Sequence, residues 1–192
     1  MHDINIIKKV IMHLFTRVIA VVMFITSSAA LSGEFKLSSK DISHGKFMSK
    51  EQEFNGFGCT GRDISPHLAW ENLPKGTQSL AITAYDPDAP TGSGWWHWQV
   101  VNIPVSVSEV LTGDSGKALI NSRQIENDYG VAAFGGACPP KGHGVHRYRF
   151  SVHALKVEKL ELPKNASGAL TGYMINANTI ESSTIEALYQ RN

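Results

Sequence analysis

The sequence predicts a mainly β protein, a sandwich of strands with one or two helices at its periphery. Three stretches of alternating residues are separated by turns rich in glycine and proline, which is typical of antiparallel strands. After the N-terminal leader, helical spacing is found in one late segment. Since strands and helices do not alternate along the chain, the pattern favours a β-sandwich over a layered α/β fold.

The predicted strands follow one another with clear stop signals. A weakly alternating stretch at 35–39 comes first, and 79–85 alternates more strongly. The second stretch ends in the segment 86–90, Asp-Pro-Asp-Ala-Pro, where two prolines stop a hydrogen-bonded ladder and force a loop. Further strands are predicted at 96–103, at 146–155 and at 184–189.

One helix is predicted at 168–179, with Ser167 placed to cap its first turn. Its apolar positions recur at spacings of three and four residues: Leu170, Tyr173, Met174 and Ala177. The stretch 104–130 is polar and irregular, and 134–144 is rich in glycine and proline. Both are therefore expected to be loops.

Composition and charge fit one globular domain that does not bind nucleic acid. The 192 residues are 42% hydrophobic and 18% charged, with a net charge of +1. Beyond residues 1–30 the chain holds 15 basic and 16 acidic residues. No basic stripe is left to follow a phosphate backbone, so nucleic acid is not expected as a partner. A chain of this length can bury a sizeable core without a metal or a disulfide, and no cofactor is expected.

Residues 1–30 predict a signal peptide. Its positive charges precede an apolar run and are carried by Lys8, Lys9 and Arg17. The run at 18–25 is too short to span a hydrocarbon core of about 30 Å, and the small residues at 28–30 fit a signal-peptidase site. An uncleaved N-terminal anchor is the alternative, because 4–14 adds apolar residues. We therefore expect one domain over 31–192 in the periplasm, without a stable membrane span once the leader is removed; secretion is the alternative.

Both cysteines, Cys59 and Cys138, lie beyond the leader. In an oxidising compartment an even pair indicates a disulfide, whereas in the cytosol it indicates two buried thiols. Each lies in glycine-rich backbone, which permits the close approach that a disulfide needs. Neither has a partner at zinc-ligand spacing, so no metal site is expected and the disulfide is the favoured prediction.

Three segments place ionisable residues at predicted strand ends: 86–90, 95–98 and 142–148. On an ideal strand His97 lies on the opposite face from both neighbouring tryptophans, so it is expected to face a pocket. His146 and Tyr148 are two residues apart and share a face. Each residue also has a plainer interpretation, since Asp86 is equally a turn residue and His97 a hydrogen-bonded core residue.

Other polar and aromatic residues near these segments are expected to be structural. Asp88 is placed to make turn hydrogen bonds, and His143, between two glycines, is expected to be exposed. Arg147 and Arg149 lie on the face opposite Tyr148, where surface ion pairs contribute little stability. The tryptophans at 95, 96 and 98 are expected to pack in the core or at its rim.

Taken together, the three segments resemble the signature regions of the phosphatidylethanolamine-binding protein family, also called Raf kinase inhibitor-like proteins. The resemblance rests on Asp-Pro-Asp-Ala-Pro at 86–90, Trp-His-Trp at 96–98 and Cys-Pro-Pro-Lys-Gly-x-Gly-x-His-Arg-Tyr-x-Phe at 138–150. It extends from about Phe35 to Tyr189, and the cysteines resemble those of the exported bacterial YbhB/YbcL-type members. It implies a sandwich of two antiparallel sheets.

The resemblance also implies a pocket for a small anion, namely phosphate, a carboxylate such as acetate, or a phospholipid headgroup. By motif position the lining is expected to be Asp86, Pro90, His97, Gly136, Cys138, Pro139, Pro140, His146 and Tyr148. Glycine-rich backbone can turn N–H groups toward an oxyanion, and imidazole and phenol groups add donors. Asp86 fits beside an anion if it orients a histidine or shares a proton with a phosphate oxygen.

Three functions follow, and an exported binding protein is favoured. Because the family includes inhibitors of kinases and of a serine carboxypeptidase, the resemblance also implies a protein target. A hydrolase is the second candidate, using a histidine–aspartate pair or a metal held by Asp86, His97 and His146. No serine or cysteine lies in a nucleophile motif, so enzymatic activity is not expected. The third candidate is a secreted interaction protein with a vestigial pocket.

Overall fold

The computed structural model describes residues 33–115, 119 and 121–192, which form ten strands and one helix. The strands are β1 (Lys36–Ser38), β2 (Asn55–Gly56), β3 (Cys59–Thr60), β4 (Leu68–Glu71), β5 (Ser79–Asp86), β6 (Trp95–Ile103), β7 (Glu109–Val110), β8 (Arg123–Gln124), β9 (His146–Leu155) and β10 (Thr179–Tyr189), and the helix α1 is Gly168–Asn178. The predicted leader lies outside the described residues, so the signal peptide and the domain boundary stay predictions. Among the described residues no helix has the length and hydropathy needed to cross a bilayer.

The strands assemble into two main antiparallel sheets. The smaller sheet has the order β1-β4-β7, the larger one has the order β10-β9-β5-β6-β8, and β2 and β3 form a separate two-stranded ribbon. Every pair of neighbouring strands is antiparallel. This arrangement confirms the predicted mainly β fold of two antiparallel sheets with a peripheral helix.

The larger sheet is buried on both faces. On one face Ile82 joins the main core, which also contains Trp70 of the smaller sheet. On the other face Ala81 joins a second core with Ile175 of α1. Since successive side chains of a strand point to opposite faces, Ala81 and Ile82 lie in different cores, and both are 0% exposed. The fold is therefore three layers, with the larger sheet in the middle.

The long central strands and the short first strand β1 match their predicted positions, whereas the start of β10 and the other short strands do not. β5, β6 and β9 agree with the predictions to within one residue at each end. β10 begins at Thr179 rather than at 184, because its first half pairs at the edge of the sheet with side chains that remain exposed. The strands of two to four residues at β2, β3, β4, β7 and β8 carry too few side chains for alternation to be visible.

The helix lies where the sequence predicts it, but its predicted apolar face is wrong. Leu170 is 39% and Tyr173 is 68% exposed, whereas the buried face includes Gly168 and Gly172. A Cβ atom on Gly168 would lie 2.5 Å from the indole of Trp96, so the helix approaches the sheet through its small residues. The predicted cap is present, since the Ser167 side chain accepts a hydrogen bond from the Leu170 N–H at 3.2 Å.

Candidate functional site

A cavity of about 290 Å³ lies at one end of the three central strands of the larger sheet, where β5 ends and β6 and β9 begin. Of the nine residues predicted to line a pocket, eight do line this cavity: Asp86, Pro90, His97, Cys138, Pro139, Pro140, His146 and Tyr148. Three segments that are distant in sequence are thus brought together in space. Their role in binding a ligand stays a prediction.

A buried carboxylate–imidazole pair forms part of the lining. His146 Nδ1 lies 2.7 Å from Asp86 Oδ2, and both residues are buried. The other carboxylate oxygen accepts the N–H of Asp88 at 2.8 Å. Because a carboxylate accepts and does not donate, the Nδ1 of His146 carries the hydrogen. Asp86 therefore orients His146, as the sequence analysis anticipated.

The second ring nitrogen of His146 also has a protein partner. Its Nε2 lies 2.7 Å from Nδ1 of His143, a residue that is exposed to solvent. Asp86, His146 and His143 therefore form a continuous hydrogen-bonded chain from the cavity lining to the surface. The sequence correctly predicts that His143 is exposed, but it does not predict this contact. The glycines on both sides leave the backbone conformation, and therefore the direction of the ring, undetermined.

His97 contributes a buried imidazole with one nitrogen available. Its Nδ1 lies 2.8 Å from the carbonyl oxygen of Gly135, so Nδ1 carries the hydrogen in the neutral ring. Burial lowers the pKa of His97, against the opposing effects of the Gly135 carbonyl and the Asp86 carboxylate. The Nε2 atom is buried without a hydrogen-bond partner. In its neutral form this atom is a hydrogen-bond acceptor.

A bulge in β6 aims His97 into the cavity. The pairing of β5 with β6 steps from Ala84–Trp98 to Tyr85–Trp96, which leaves His97 as the extra residue. Trp96 accordingly packs against the helix, while the His97 ring contacts Tyr148 at 5.1 Å. The expectation that His97 lies opposite both tryptophans is therefore wrong for Trp98, which joins Tyr148 in the main core. Ideal alternation fails here because a bulge interrupts the strand.

Two further polar atoms of the lining lack partners. Trp95 Nε1 is buried without a hydrogen bond. The Tyr148 hydroxyl is buried without a partner at full hydrogen-bond geometry, although the Asp86 carboxylate lies close enough to interact with it. Burial, together with the nearby Asp86 carboxylate, raises the pKa of Tyr148, so its hydroxyl stays protonated. Each of these groups is able to donate a hydrogen bond to a ligand. The sequence predicts that Trp95 packs in the core or at its rim, and it does not predict the unpartnered Nε1 atom.

The remaining walls are apolar. They include Phe57, which is 74% exposed, and Tyr129, which stacks on Phe54 at 3.9 Å. Sequence reasoning missed Phe57 and Tyr129, since both lie in segments without regular alternation. In the part of the chain that the structure describes, no lysine or arginine lines the cavity. Formal positive charge can therefore come only from its histidines.

The glycine-rich segment before Cys138 serves packing rather than ligand binding. The N–H of Gly135 donates to the carbonyl of His97 at 2.9 Å, and that of Gly136 donates to Asp63 at 2.6 Å. A Cβ atom on Gly136 would lie 2.4 Å from the carbonyl oxygen of Gln52. Gly136 lies outside the cavity lining, and its N–H is already used, so the anticipated backbone cradle is not available at this residue.

Cys59 and Cys138 form the predicted disulfide, with their Cα atoms 5.9 Å apart. Their sequence separation is 79 residues, and the chain-entropy model gives about 4–5 kcal/mol of stabilisation for a loop of this size. The bond joins the β2–β3 ribbon, which carries Phe57 at its turn, to the segment that lines the cavity. It thereby holds one apolar wall in place.

Several neighbouring polar groups are structural, as expected. Both carboxylate oxygens of Asp88 accept hydrogen bonds from Arg147, which is the main reason that the pKa of Asp88 falls to about 2. Arg149 pairs with Glu186 at 3.0 Å. These exposed pairs lie outside the cavity and contribute little stability.

The arrangement does not favour a three-ligand metal site. Both ring nitrogens of His146 already bond protein groups, and His97 has a single nitrogen free. Within residues 33–115, 119 and 121–192, no cluster of three or more histidine, cysteine or acidic side chains has metal-binding geometry. The metal-assisted alternative therefore has no geometric support in the described residues.

Comparisons with known proteins agree with this geometry. Residues 38–190 match the family model described as phosphatidylethanolamine-binding protein. UPF0098 protein YbcL of Escherichia coli is 47% identical over 180 residues, covering 91% of this chain and 98% of YbcL. UPF0098 protein YbhB of the same organism is 44% identical over 158 residues, covering 80% of this chain and 99% of YbhB.

A solved structure and a more distant relative extend the comparison. The crystal structure of E. coli YbcL, described as a member of the mammalian PEBP family, superposes with a TM-score of 0.80 at 48% identity, covering 83% of this chain and 100% of that one. The putative lipoprotein LppC of Mycobacterium tuberculosis is 39% identical over 113 residues, or 58% of this chain and 53% of LppC. None of these names states an enzymatic activity.

Proposed function

Because this chain belongs to the phosphatidylethanolamine-binding protein family, we propose that it is an exported protein that binds a small oxyacid still carrying one acidic proton. A singly protonated phosphate or phosphate monoester is the ligand class that fits best. The observation that carries the proposal is the set of three unpartnered buried polar atoms on one cavity lining: Trp95 Nε1, His97 Nε2 and Tyr148 Oη.

Unpartnered buried groups are costly, which is why most buried polar atoms have partners. Each such group is left without the hydrogen bonds that water would give it, at about 1–3 kcal/mol. Three of them around a single cavity indicate that a ligand supplies the missing bonds. An apolar wall with a few convergent polar groups is typical of a small-molecule site.

The chemistry of the three atoms defines the ligand. Trp95 Nε1 and the Tyr148 hydroxyl donate, so they match negatively charged oxygens. His97 Nε2 accepts, so the ligand must also offer an O–H or N–H group. A singly protonated phosphate provides both, whereas a fully ionised anion would face the Asp86 carboxylate without a proton between them.

Phosphate monoesters have a second pKa of about 6, so above neutral pH they must take up a proton to bind in this form. A phosphodiester, the form in a phospholipid headgroup, has no acidic P–OH to donate. The proposal therefore ranks monoesters and inorganic phosphate above a diester that has no other donor group. An ethanolamine headgroup is a separate case, because its ammonium group offers N–H donors. A carboxylate such as acetate would bind as the neutral acid and hence weakly at neutral pH.

Export is part of the proposal. It is supported by the predicted leader over residues 1–30, by the disulfide, which persists in oxidising compartments, and by the lipoprotein name of a relative. We place the protein in the periplasm, where phosphate monoesters and lipid headgroups are both accessible.

Calorimetric titration with matched ligands tests the function. Methyl phosphate and inorganic phosphate are expected to bind at pH 6, and dimethyl phosphate is expected to bind at least tenfold more weakly, since it lacks the proton that His97 needs. Glycerophosphoethanolamine, the diester headgroup, reports on the lipid source. At pH 7.5, titration of methyl phosphate in buffers of different ionisation enthalpy is expected to show uptake of about one proton per methyl phosphate bound.

His97→Ala is expected to weaken phosphate binding by at least about thirtyfold, because one hydrogen bond to a charged ligand is lost. His44→Ala is the matched control, because His44 is an exposed histidine whose Nδ1 accepts the N–H of Glu186, away from the cavity lining. Equal affinities for methyl and dimethyl phosphate would contradict the proposal, as would normal binding by the His97 variant.

A further inference from the structure

His143 is a polar residue beside the site that the proposed function does not yet use. It is exposed, yet its Nδ1 lies 2.7 Å from His146 Nε2, and the two rings are 5.0 Å apart. His146 in turn is fixed by Asp86 at 2.7 Å. Ordering an exposed side chain costs conformational entropy. The ordered His143 ring therefore indicates that its contact with His146 is favourable.

Counting the hydrogens between the two rings shows what the contact can do. With both rings neutral, His146 Nδ1–H donates to Asp86, and His143 Nδ1–H donates to His146 Nε2. One added proton fits without moving either ring. It binds Nε2 of His143, and the hydrogen between the rings can then shift to His146 Nε2, which donates to His143 Nδ1. A second added proton leaves two donors facing each other and breaks the contact. The pair is therefore built to hold a single proton.

We infer that His143 is a further binding residue of this site, acting with His146 to hold the proton whose charge attracts an oxyanion to the cavity. The inference rests on the proposed function, because it explains how a cavity with no lysine or arginine in its lining accepts an anion beside Asp86. His143 acts through His146 and has no direct contact with the ligand. It sets the pH range over which the cavity carries positive charge.

The other charged and titratable groups around the pair do not replace this role. These groups lie on β5, on the loop after β5, and on β6, β9 and β10. They are Asp86, Asp88, His97, Arg147, Tyr148 and Tyr189. Arg147 is matched by Asp88 in a two-point ion pair. Burial lowers the pKa of His97, which keeps that ring neutral. Tyr148 and Tyr189 are uncharged because burial raises the pKa of each. Arg191, which follows β10, lies beside the loop that carries His143, but its guanidinium donates to the carbonyl oxygens of Gly58 and Pro139. Asp86 is the carboxylate in direct contact with the pair, and it is this charge that the pair offsets.

The test compares inorganic phosphate affinity in the parent protein and in His143→Ala from pH 5 to pH 8. The ionisation of phosphate is common to both proteins, so the ratio of their dissociation constants reports the protein alone. The ratio is expected to be smallest at pH 5 and to rise to about three- to tenfold at pH 8, since the variant lacks the charge-assisted hydrogen bond between His146 and His143.

Two variants separate the inferred role from a general charge effect. His143→Asn places an amide oxygen where Nδ1 lies and can still accept from His146, so it is expected to restore the parent affinity to within about twofold. Lys141→Ala removes an exposed charge from the same loop without touching the pair and is expected to give a ratio that does not change with pH. A ratio of one at every pH for His143→Ala, or a Lys141→Ala ratio that follows the same curve, would overturn the inference.

A measurement without ligand distinguishes failure of the inference from failure of the proposed function. In the histidine side-chain nitrogen spectrum, the midpoint of the His146 titration is expected to move to lower pH in His143→Ala. An unmoved midpoint overturns the inference, whatever phosphate does. Absence of phosphate binding by the parent protein overturns the proposed function instead, while a moved midpoint would still establish the shared proton.

Discussion

Two buried histidines, His67 and His97, differ in how many of their ring nitrogens have hydrogen-bond partners. His67 is 4% and His97 is 3% exposed, so burial does not distinguish them. His67 has both ring nitrogens in use, with Nδ1 accepting the N–H of Lys40 at 3.3 Å and Nε2 bonding Glu109 at 3.1 Å. His97 uses Nδ1 alone. Gln99 Oε1 and Thr171 Oγ1 are also buried without partners but lie outside the cavity lining. An incomplete set of hydrogen bonds therefore supports the proposed binding role of His97 only together with its place in that lining.

The largest expected effect is on binding. Replacing each histidine by phenylalanine keeps a ring of similar size and removes its hydrogen bonds. His97→Phe is expected to weaken phosphate binding about thirtyfold, the equivalent of one hydrogen bond to a charged group at about 2 kcal/mol. His67→Phe is expected to leave phosphate affinity unchanged. Calorimetric titration of both variants checks this, and equal losses would remove the distinction between the two residues.

The same pair should show the reverse order in stability. His67→Phe is expected to lower the free energy of unfolding by about 1.5–2 kcal/mol, because two hydrogen bonds are lost and the Lys40 N–H is left without a partner. His97→Phe loses one bond and removes an unpartnered atom, so its expected cost is at most about 1 kcal/mol. Urea unfolding monitored by tryptophan fluorescence measures both. A larger loss for His97→Phe than for His67→Phe would indicate that His97 is mainly a structural residue.

Tyr148→Phe sharpens the comparison, because it removes one unpartnered hydroxyl and nothing else. Phosphate affinity is expected to fall about tenfold, since one hydrogen bond to an anion is lost. The free energy of unfolding is expected to stay the same or to rise by up to about 1 kcal/mol, because burying a hydroxyl without a partner is unfavourable. Lower stability together with unchanged affinity would contradict both halves of this prediction.

The smallest effect concerns a half-buried imidazole, His153, whose Nε2 lies 3.1 Å from the hydroxyl of Thr83. Burial lowers the pKa of His153 to about 4. The unfolded chain binds this proton near pH 6.5, so the stabilisation is complete above that pH and is lost as the pH falls toward 4.

His153→Gln is accordingly expected to reduce the loss of stability between pH 7 and pH 5 by about 1 kcal/mol. Urea unfolding at the two pH values measures this difference. Phosphate affinity at pH 7 serves as the control and is expected to match that of the parent protein. A parallel decline of both proteins between pH 7 and pH 5 would show that the His153 proton does not control acid stability.

The sequence predicted the strands that are long enough for an alternating pattern of residues to be recognised. β5, β6 and β9 are central strands of eight to ten residues, and proline-rich or glycine-rich turns bound them. The smaller sheet could not be predicted in the same way. Its strands contain two to four residues, and their pairing depends on contacts such as Lys36 with Glu71 that connect distant parts of the chain.

The sequence predicted which residues line the cavity better than it predicted the hydrogen bonds that they make. The motif positions predicted that Asp86, His97, His146 and Tyr148 line one cavity, and the four residues do line it. Which nitrogen of His97 is free depends on a bulge and on the carbonyl of Gly135, and a single sequence shows neither. The anticipated cradle at Gly136 failed for a similar reason, since that glycine is required by the close approach of Gln52. Hydrogen-bond partners far apart in sequence decide such details.

The central claim is that His97 Nε2 is an acceptor completed by a proton-bearing phosphate. The most direct measurement is the long-range proton–nitrogen spectrum of the histidine side chains at pH 6.5, recorded with and without saturating inorganic phosphate. The account predicts that the His97 Nδ1 stays protonated while the Nε2 resonance shifts to that of a hydrogen-bonded or protonated nitrogen, and that His67 does not change. An unchanged His97 spectrum at saturating phosphate would contradict it.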